Sequence, residues 1–284
     1  MSKVLCSVAT RGRYFTTLPL VLNAIINQTR PVDKLVIFDD NDEPQDMRSE
    51  MIYQYFFQML DIKGIAWEWL YADKKGQHHI HQRANTMGYE WVWRCDDDAI
   101  PEPNVLEELY RFIGPSTGAV GGQVLTPPYM PDTNEVTGKI DNIDSEPNVQ
   151  WGKFNIGRQV EHLHCTFLYR AGVCDYNLGL SRVAHREETL FTYSLHQKGY
   201  INWAIPGAIT WHMKNPEGGF AARQRRKCTT MMNRFLEIFL DVVIKPLWFS
   251  IAVLVTILYS VMYFLQYLML KCLLATLKWF PGSR

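Results

Sequence analysis

The stretch Tyr89-Glu90-Trp91-Val92-Trp93-Arg94-Cys95-Asp96-Asp97-Asp98 decides the fold. Its aromatic and β-branched residues suit a strand. Ile100-Pro101-Glu102-Pro103-Asn104 then breaks the strand and opens a helix at Val105-Leu106-Glu107-Glu108-Leu109. Carboxylates crowded at a strand end repel one another unless a cation or protons neutralise them. Asp96 and Asp98 have the spacing of a D-x-D pair, which suits one divalent cation with coordination positions left for a diphosphate. Taken alone, the triplet reads equally well as a solvated acidic turn.

Outward from the aspartates, the chain alternates. Val4–Ala9, Lys34–Phe38 and Ala66–Tyr71 read as strands, and Leu18–Gln28, Ser49–Leu60 and His78–Met87 as helices. Such alternation implies an α/β sheet with parallel strands, whose ligands bind at the strand C-terminal ends. Asp39-Asp40 and Asp96–Asp98 both fall there, which favours a site over a solvated turn. Gly114–Gly157 is rich in Gly, Pro, Asn and Asp and is expected to be irregular with short strands. His162–Tyr169 is expected as a return strand, Arg186–Lys198 as a helix capped by Gly199, and Tyr200–Ile205 and Ala208–His212 as two short strands.

The 284 residues carry 29 Lys+Arg and 29 Asp+Glu, a balance that argues against a nucleic-acid partner held by a broad basic face. Six cysteines without a C-x-x-C pair are expected to be reduced, buried thiols. No apolar run precedes Val4, so no signal peptide is expected. Leu247–Leu270 holds 24 uncharged positions between Lys245 and Lys271. As a helix it would span about 36 Å against a hydrocarbon core of roughly 30 Å. The expected organisation is a catalytic domain over 1–222, a basic amphipathic interfacial helix over 223–246, a transmembrane helix over 247–270 and an interfacial tail over 271–284. Arg234, Glu237, Asp241 and Lys245 make the polar stripe of the interfacial helix, and Arg223, Arg225, Arg226 and Lys227 precede it. Membrane lipids are therefore expected partners. The expected location is a membrane, single-pass, with the large domain on the cytosolic side. A homo-oligomer stays open.

The ordered motifs resemble family 2 glycosyltransferases of the GT-A fold, which implies a Rossmann-like, mostly parallel central sheet flanked by helices. Val8-Ala9-Thr10-Arg11-Gly12-Arg13 is similar to the family's opening strand and nucleotide-facing loop. Val36-Ile37-Phe38-Asp39-Asp40-Asn41 is similar to its second strand, where Asp40 matches the contact to the base. Arg83-Ala84-Asn85 resembles the element before the metal strand, and Asp96-Asp97-Asp98 the D-x-D motif. Glu187-Glu188 stands where the family has Glu-Asp, and His212 matches a histidine that often completes the metal site. The resemblance implies nucleotide-sugar contacts at Thr10, Arg11, Arg13, Asp40, Arg83, Asp96 and Asp97. It implies Mn²⁺ or Mg²⁺ held by Asp98, Asp96 and His212, and a catalytic base at Glu188 or Glu187. Adjacent carboxylates are expected to raise each other's pKa and help the base. The implied reaction is inverting transfer from a nucleotide-sugar, most often a UDP-sugar, to a glycan or lipid-linked acceptor near the membrane.

A polyprenyl-phosphate acceptor and an inactive nucleotide-sugar-binding relative remain alternatives. Position 188 carries Glu for the family's Asp, which leaves room for the inactive relative. A nucleotidyltransferase would want a glycine-rich phosphate loop, and Thr10-Arg11-Gly12-Arg13 is too short and glycine-poor. His78, His79 and His81 are expected on a helix surface or near the diphosphate. Trp151, Phe154 and Trp203 suit core packing better than sugar stacking.

Overall fold

The structure, a computed structural model, describes residues 2–127, 150, 152–180, 182, 184 and 186–213, with 254, 258, 259, 261–263 and 265–269 in a second unit. The chain divides into two units, Met1–Arg223 and Gln224–Arg284. The expected interfacial helix, the tail, Trp151 and most of 247–270 lie outside the described residues. Those described between 254 and 269 are helical and exposed. Among the described residues, no helix is long and apolar enough to cross a membrane.

In the first unit the elements run β1 (Val4–Thr10), α1 (Leu18–Ile26), β2 (Lys34–Asp39), α2 (Met51–Ile62), β3 (Ala66–Tyr71), α3 (Gln77–Asn85), β4 (Trp91–Asp96), β5 (Ala99–Pro101), α4 (Val105–Arg111), β6 (Thr117–Leu125), β7 (Arg158–Val160), β8 (Phe167–Arg170), α5 (Glu187–Gln197) and β9 (Ile201–His212). The strand order is β3-β2-β1-β4-β8-β6-β9-β5, with β7 also on β9. β1, β2, β3 and β4 pair in parallel, as expected from the alternation. β8 then enters antiparallel to both β4 and β6, and β5 and β7 are antiparallel to β9. The expected mostly parallel sheet is therefore corrected to a mixed one. The reason is the short return strand β8, which inserts between β4 and β6.

Period-two alternation sorts the side chains onto two faces. Val4, Cys6 and Val8 of β1, with Trp91, Trp93 and Cys95 of β4, pack beneath α1, α2 and α4. Leu5 and Ala9, with Val92 of β4, face the α3 and α5 side, among Ile80, Ala84, Phe191 and Leu195. By the same alternation Arg94 and Asp96 point towards α5. Gly199, at φ +85°, ends α5 as expected, and the Tyr200 N–H bonds back to the Leu195 carbonyl.

Three local expectations fail. Part of the supposedly irregular Gly114–Gly157 is β6, a nine-residue strand buried along its whole length. Its glycines are there for close approach: a Cβ at Gly122 would lie 2.0 Å from the Ala208 carbonyl oxygen. The two short strands expected over 200–212 are one, β9, whose pairing with β6 shifts register between Gly121 and Gln123, opposite Pro206-Gly207. His78 and His81 are buried rather than on the surface, and His81 packs 5.6 Å from the Tyr176 ring. Phe154 is core, as expected, on the α3 and α5 face, and Trp203 packs at the edge of the core on the opposite face. The four described cysteines, Cys6, Cys95, Cys165 and Cys174, are free and buried.

Candidate active site

The C-terminal ends of β1 and β4 are neighbours because Ala9 pairs with Asp96. The loop after β1 therefore meets the aspartates. The Arg11 N–H donates to Asp97 Oδ2 at 3.1 Å. Arg13 forks between Asp97 and Asp98, with Nη1 on Asp97 Oδ1 and Nη2 2.9 Å from Asp98 Oδ2. Thr10 is buried, and its carbonyl accepts the Asp40 N–H at 2.9 Å. The Arg11 side chain reaches the Asp40 carbonyl and Asp42, which also pairs with Arg182. These two guanidiniums hold the Asp42 carboxyl down at about 2.

His212 comes from 114 residues downstream. β5 places Ala99 opposite His212, and the Met213 N–H donates to the Asp98 carbonyl at 2.8 Å. His212 Nε2 thereby lies 3.5 Å from Asp98 Oδ2. Burial, with Asp97 and Asp96 alongside, pushes the Asp98 carboxyl up to about 8 even though Arg13 opposes it. Burial likewise raises Asp97 against the pull of Arg13.

Asp96 turns the other way. Its Oδ1 is 3.3 Å from Arg94 Nη2, and Arg94 Nη1 is 2.7 Å from Glu187 Oε2. Arg94 and Glu187 are both about 1% exposed. A buried ion pair of this kind is costly to break because either partner alone would be an uncompensated charge. Burial raises the Glu187 carboxyl strongly, with Arg94 pulling it back down. Glu187 is thus closed off from any acceptor. Glu188 keeps a side chain 18% exposed, with its Oε1 3.2 Å from His164 Nδ1. Burial would raise Glu188, but the His164 hydrogen bond and Arg94 drive it well below the usual carboxylate range. The expected mutual elevation holds in one direction only: Glu188 adds to the rise of Glu187, whose main cause is burial, whereas His164 and Arg94 hold Glu188 down.

The structure thus gathers Arg11, Arg13, Asp97, Asp98 and His212 in one contact chain, and Asp96 with Glu187 through Arg94. Asp40 sits behind them, its Oδ1 accepting the Gly76 N–H at 3.0 Å. Gly76 has φ +129°, a backbone that favours glycine. Arg83 stands apart. It bonds the Tyr71 carbonyl and Asp73 at 3.3 Å each and lies 5.7 Å over the Phe38 ring. Asn85 is buried and structural, donating to the Cys174 carbonyl. Sequence reading passed over Arg94 and His164. An arginine inside the buried run Trp91–Cys95 is itself a signal, since such a charge demands a buried carboxylate.

Four carboxylates, Asp96, Asp97, Asp98 and Glu187, share the buried guanidiniums of Arg13 and Arg94. That excess of negative charge fits a cation. Among the described residues no three His, Cys, Asp or Glu side chains are gathered to hold a metal ion unaided. Asp98 and His212 fit an ion whose remaining ligands come from a diphosphate and water, as Mg²⁺-type sites often do.

No curated protein matches the chain. Its fold is similar to that of GalNAc-T7 with UDP, GalNAc and Mn²⁺, at TM-score 0.55 and 10% identity over 76% of this chain and 44% of that one. TarS of S. aureus gives TM-score 0.53 and 15% identity over 75% of this chain and 37% of that one. The mannosyltransferase PcManGT from Pyrobaculum calidifontis, with GDP-Man and Mn²⁺, gives 0.50 and 13% over 74% and 56%. The chain covers less than two thirds of each of these structures. At such identities the likeness is one of fold. The family described as Glycosyl transferase family 2 matches residues 8–188, from the first strand through Asp96–Asp98 to Glu188. With more than half its length so matched, the chain belongs to glycosyl transferase family 2.

Proposed function

We propose that this protein is a metal-dependent, inverting glycosyltransferase that moves a sugar from a nucleotide-sugar, in first place a UDP-sugar, to a hydroxyl or phosphate of a membrane-proximal or lipid-linked acceptor. The observation that carries the reading is the pairing of Asp98 with His212 and of Glu188 with His164, with Asp96 joined through Arg94 to Glu187, the neighbour of Glu188. Asp98 and His212 would hold Mn²⁺ or Mg²⁺, and Asp96, turned onto Arg94, would favour the ion only through its charge. The ion, when bound, supplies Lewis-acid neutralisation of the leaving diphosphate. Thr10, Arg11 and Arg13 face the nucleotide end, and Asp40 braces the loop at Gly76. Glu188 takes the proton of the attacking hydroxyl. Glu187 acts through Arg94 as a positioning residue, because it is sealed from solvent.

The membrane-proximal acceptor is supported by the uncharged run Leu247–Leu270 and by its exposed helical residues, among them Leu254, Leu258 and Val261. A polyprenyl-phosphate acceptor and an inactive binding relative are the rival readings. The partly accessible Glu188 favours an active enzyme.

The test is release of nucleoside diphosphate from UDP-sugars and GDP-mannose by the full-length protein, with Mn²⁺, Mg²⁺ or EDTA. Metal-dependent release from one donor, lost in Asp98→Asn by about 10²-fold or more, is the expected result. Nucleotide binding without release from any donor, with detergent-solubilised lipid acceptors supplied, would favour the inactive relative.

A further inference from the structure

Between β7 and β8 the chain runs His162-Leu163-His164-Cys165-Thr166 against the first turns of α5. His164 Nδ1 is 3.2 Å from Glu188 Oε1, and Nε2 is 2.8 Å from Thr189 Oγ1. Both sides of this turn are pinned. The Leu163 N–H donates to Thr192 Oγ1 at 2.8 Å, and Thr166 Oγ1 donates to the Arg94 carbonyl at 2.6 Å. Between the pins, Cys165 has φ +58°, a left-handed conformation uncommon for a side-chain-bearing residue. Backbone held this way persists where the surroundings over-determine it, and such places cluster at functional sites. An ionised carboxylate only accepts hydrogen bonds, so Nδ1 carries the proton in the contact with Glu188.

We infer that His164 positions Glu188 for proton abstraction, holding one oxygen of the carboxylate through Nδ1. This rests on the proposed function. In the transfer step the acceptor oxygen bonds the anomeric carbon and its proton moves to Glu188. The bond from that carbon to the diphosphate breaks, and its electron pair leaves with the diphosphate. His164 keeps its proton throughout and orients the carboxylate that receives one.

The groups around Glu188 come from four places. Arg94 reaches it from β4, His81 from α3, His162 and His164 from the turn, and Glu187 from its own helix. Burial raises the carboxyl while His164 and Arg94 lower it. Without His164, burial is opposed mainly by Arg94, and the carboxyl rises.

Two measurements on the full-length protein test this. The first follows hydrolysis of the best donor from the release assay, with water as acceptor, across pH. His164→Ala is expected to lower kcat about tenfold and to move the acid limb up by about one unit. The KM for donor should stay within about twofold, since uniform binding is untouched. His164→Asn, which retains an N–H donor, should recover part of kcat and move the limb back. The second follows the Glu188 side-chain carboxyl carbon by ¹³C NMR, assigned with Glu188→Gln, and requires no turnover. Its titration should shift upward in His164→Ala. An unmoved titration and acid limb, or a loss confined to donor KM, would overturn the inference. Glu188→Gln separates the two levels of the argument. If it keeps full turnover, Glu188 is not the base and the role of His164 falls with it, while the donor turnover leaves the functional reading standing. If it abolishes turnover while His164→Ala titrates like the wild type, only the role of His164 falls.

Discussion

The half-sheet β3-β2-β1-β4 and the half built from β6, β8 and β9 use different means to reach the same site. The first is parallel and locally encoded. Its strands alternate with helices that cover the two faces of the sheet, and runs such as Val4–Thr10 and Leu35–Asp39 are buried throughout. Its aspartates reach the site simply by standing at the strand ends. The second half is assembled from distant pieces. β6 and β9 lie side by side across some 80 residues, with β8 returning antiparallel on the other flank of β6. From this half come His164, Glu188 and His212. The difference teaches that the aspartates are placed by local alternation, whereas Glu188 and the two histidines need non-local pairing.

The sharpest way to break the comparison is at the contact joining the two halves. Arg94→Met strands Glu187 as a buried charge without a partner, and is expected to cost about 3–5 kcal/mol in denaturant unfolding. Arg94→Met with Glu187→Leu should recover most of that loss, since both charges are then gone. A double variant as unstable as the single one would mean that Arg94 acts through Asp96 instead.

A smaller effect is expected inside the second half alone. Gly122→Ala drives a methyl into the Ala208 backbone, 2.0 Å from its carbonyl oxygen. Overpacking of this kind costs about 1–3 kcal/mol. A neutral outcome, read as an unchanged urea midpoint, would show that the β6–β9 bulge can open.

The pH dependence of stability should also originate in the second half. His162 is pushed down from 6.5 to about 4 by burial first, then by His164 and Arg186, with Glu188 opposing. A histidine depressed in the folded state contributes stability that is present above its unfolded pKa and is lost as pH falls. The midpoint temperature should therefore decline between pH 6.5 and 4, and His162→Phe should flatten that decline. An identical slope in the variant would assign the acid sensitivity to other groups. The smallest effect is expected in the first half. The cross-strand pair of Lys34 and Glu68, 2.7 Å apart, is partly solvated. Lys34→Ala should cost under about 1 kcal/mol by urea unfolding, and a larger loss would mean the parallel edge is less self-sufficient than its pattern implies.

Legibility in the sequence followed the same division. β3 is legible at Ala66–Tyr71, the residues the structure gives, because periodicity and flanking turns agree. Asp97, Asp98 and His212 were chosen from motif order and stand together. Arg83, chosen the same way, stands at the β3 end with Asp73. β6 is illegible in the sequence because Gly118, Gly121 and Gly122 read as loop residues, although in the sheet they make room for Tyr200, Gln150 and Ala208. Glu187 and Glu188 could not be told apart from a dipeptide. Their difference depends on Arg94 from one strand and His164 from a distant turn.

By itself, the sequence determined the alternating α/β half, the acidic strand ends and the family, since those rest on short-range periodicity and ordered motifs. Only the tertiary structure decided that the sheet is mixed, that Glu187 is sealed in an ion pair, and that Glu188 is held by His164. Each of those depends on which distant residues share a buried space, where burial and a single neighbouring charge outweigh anything the local pattern encodes.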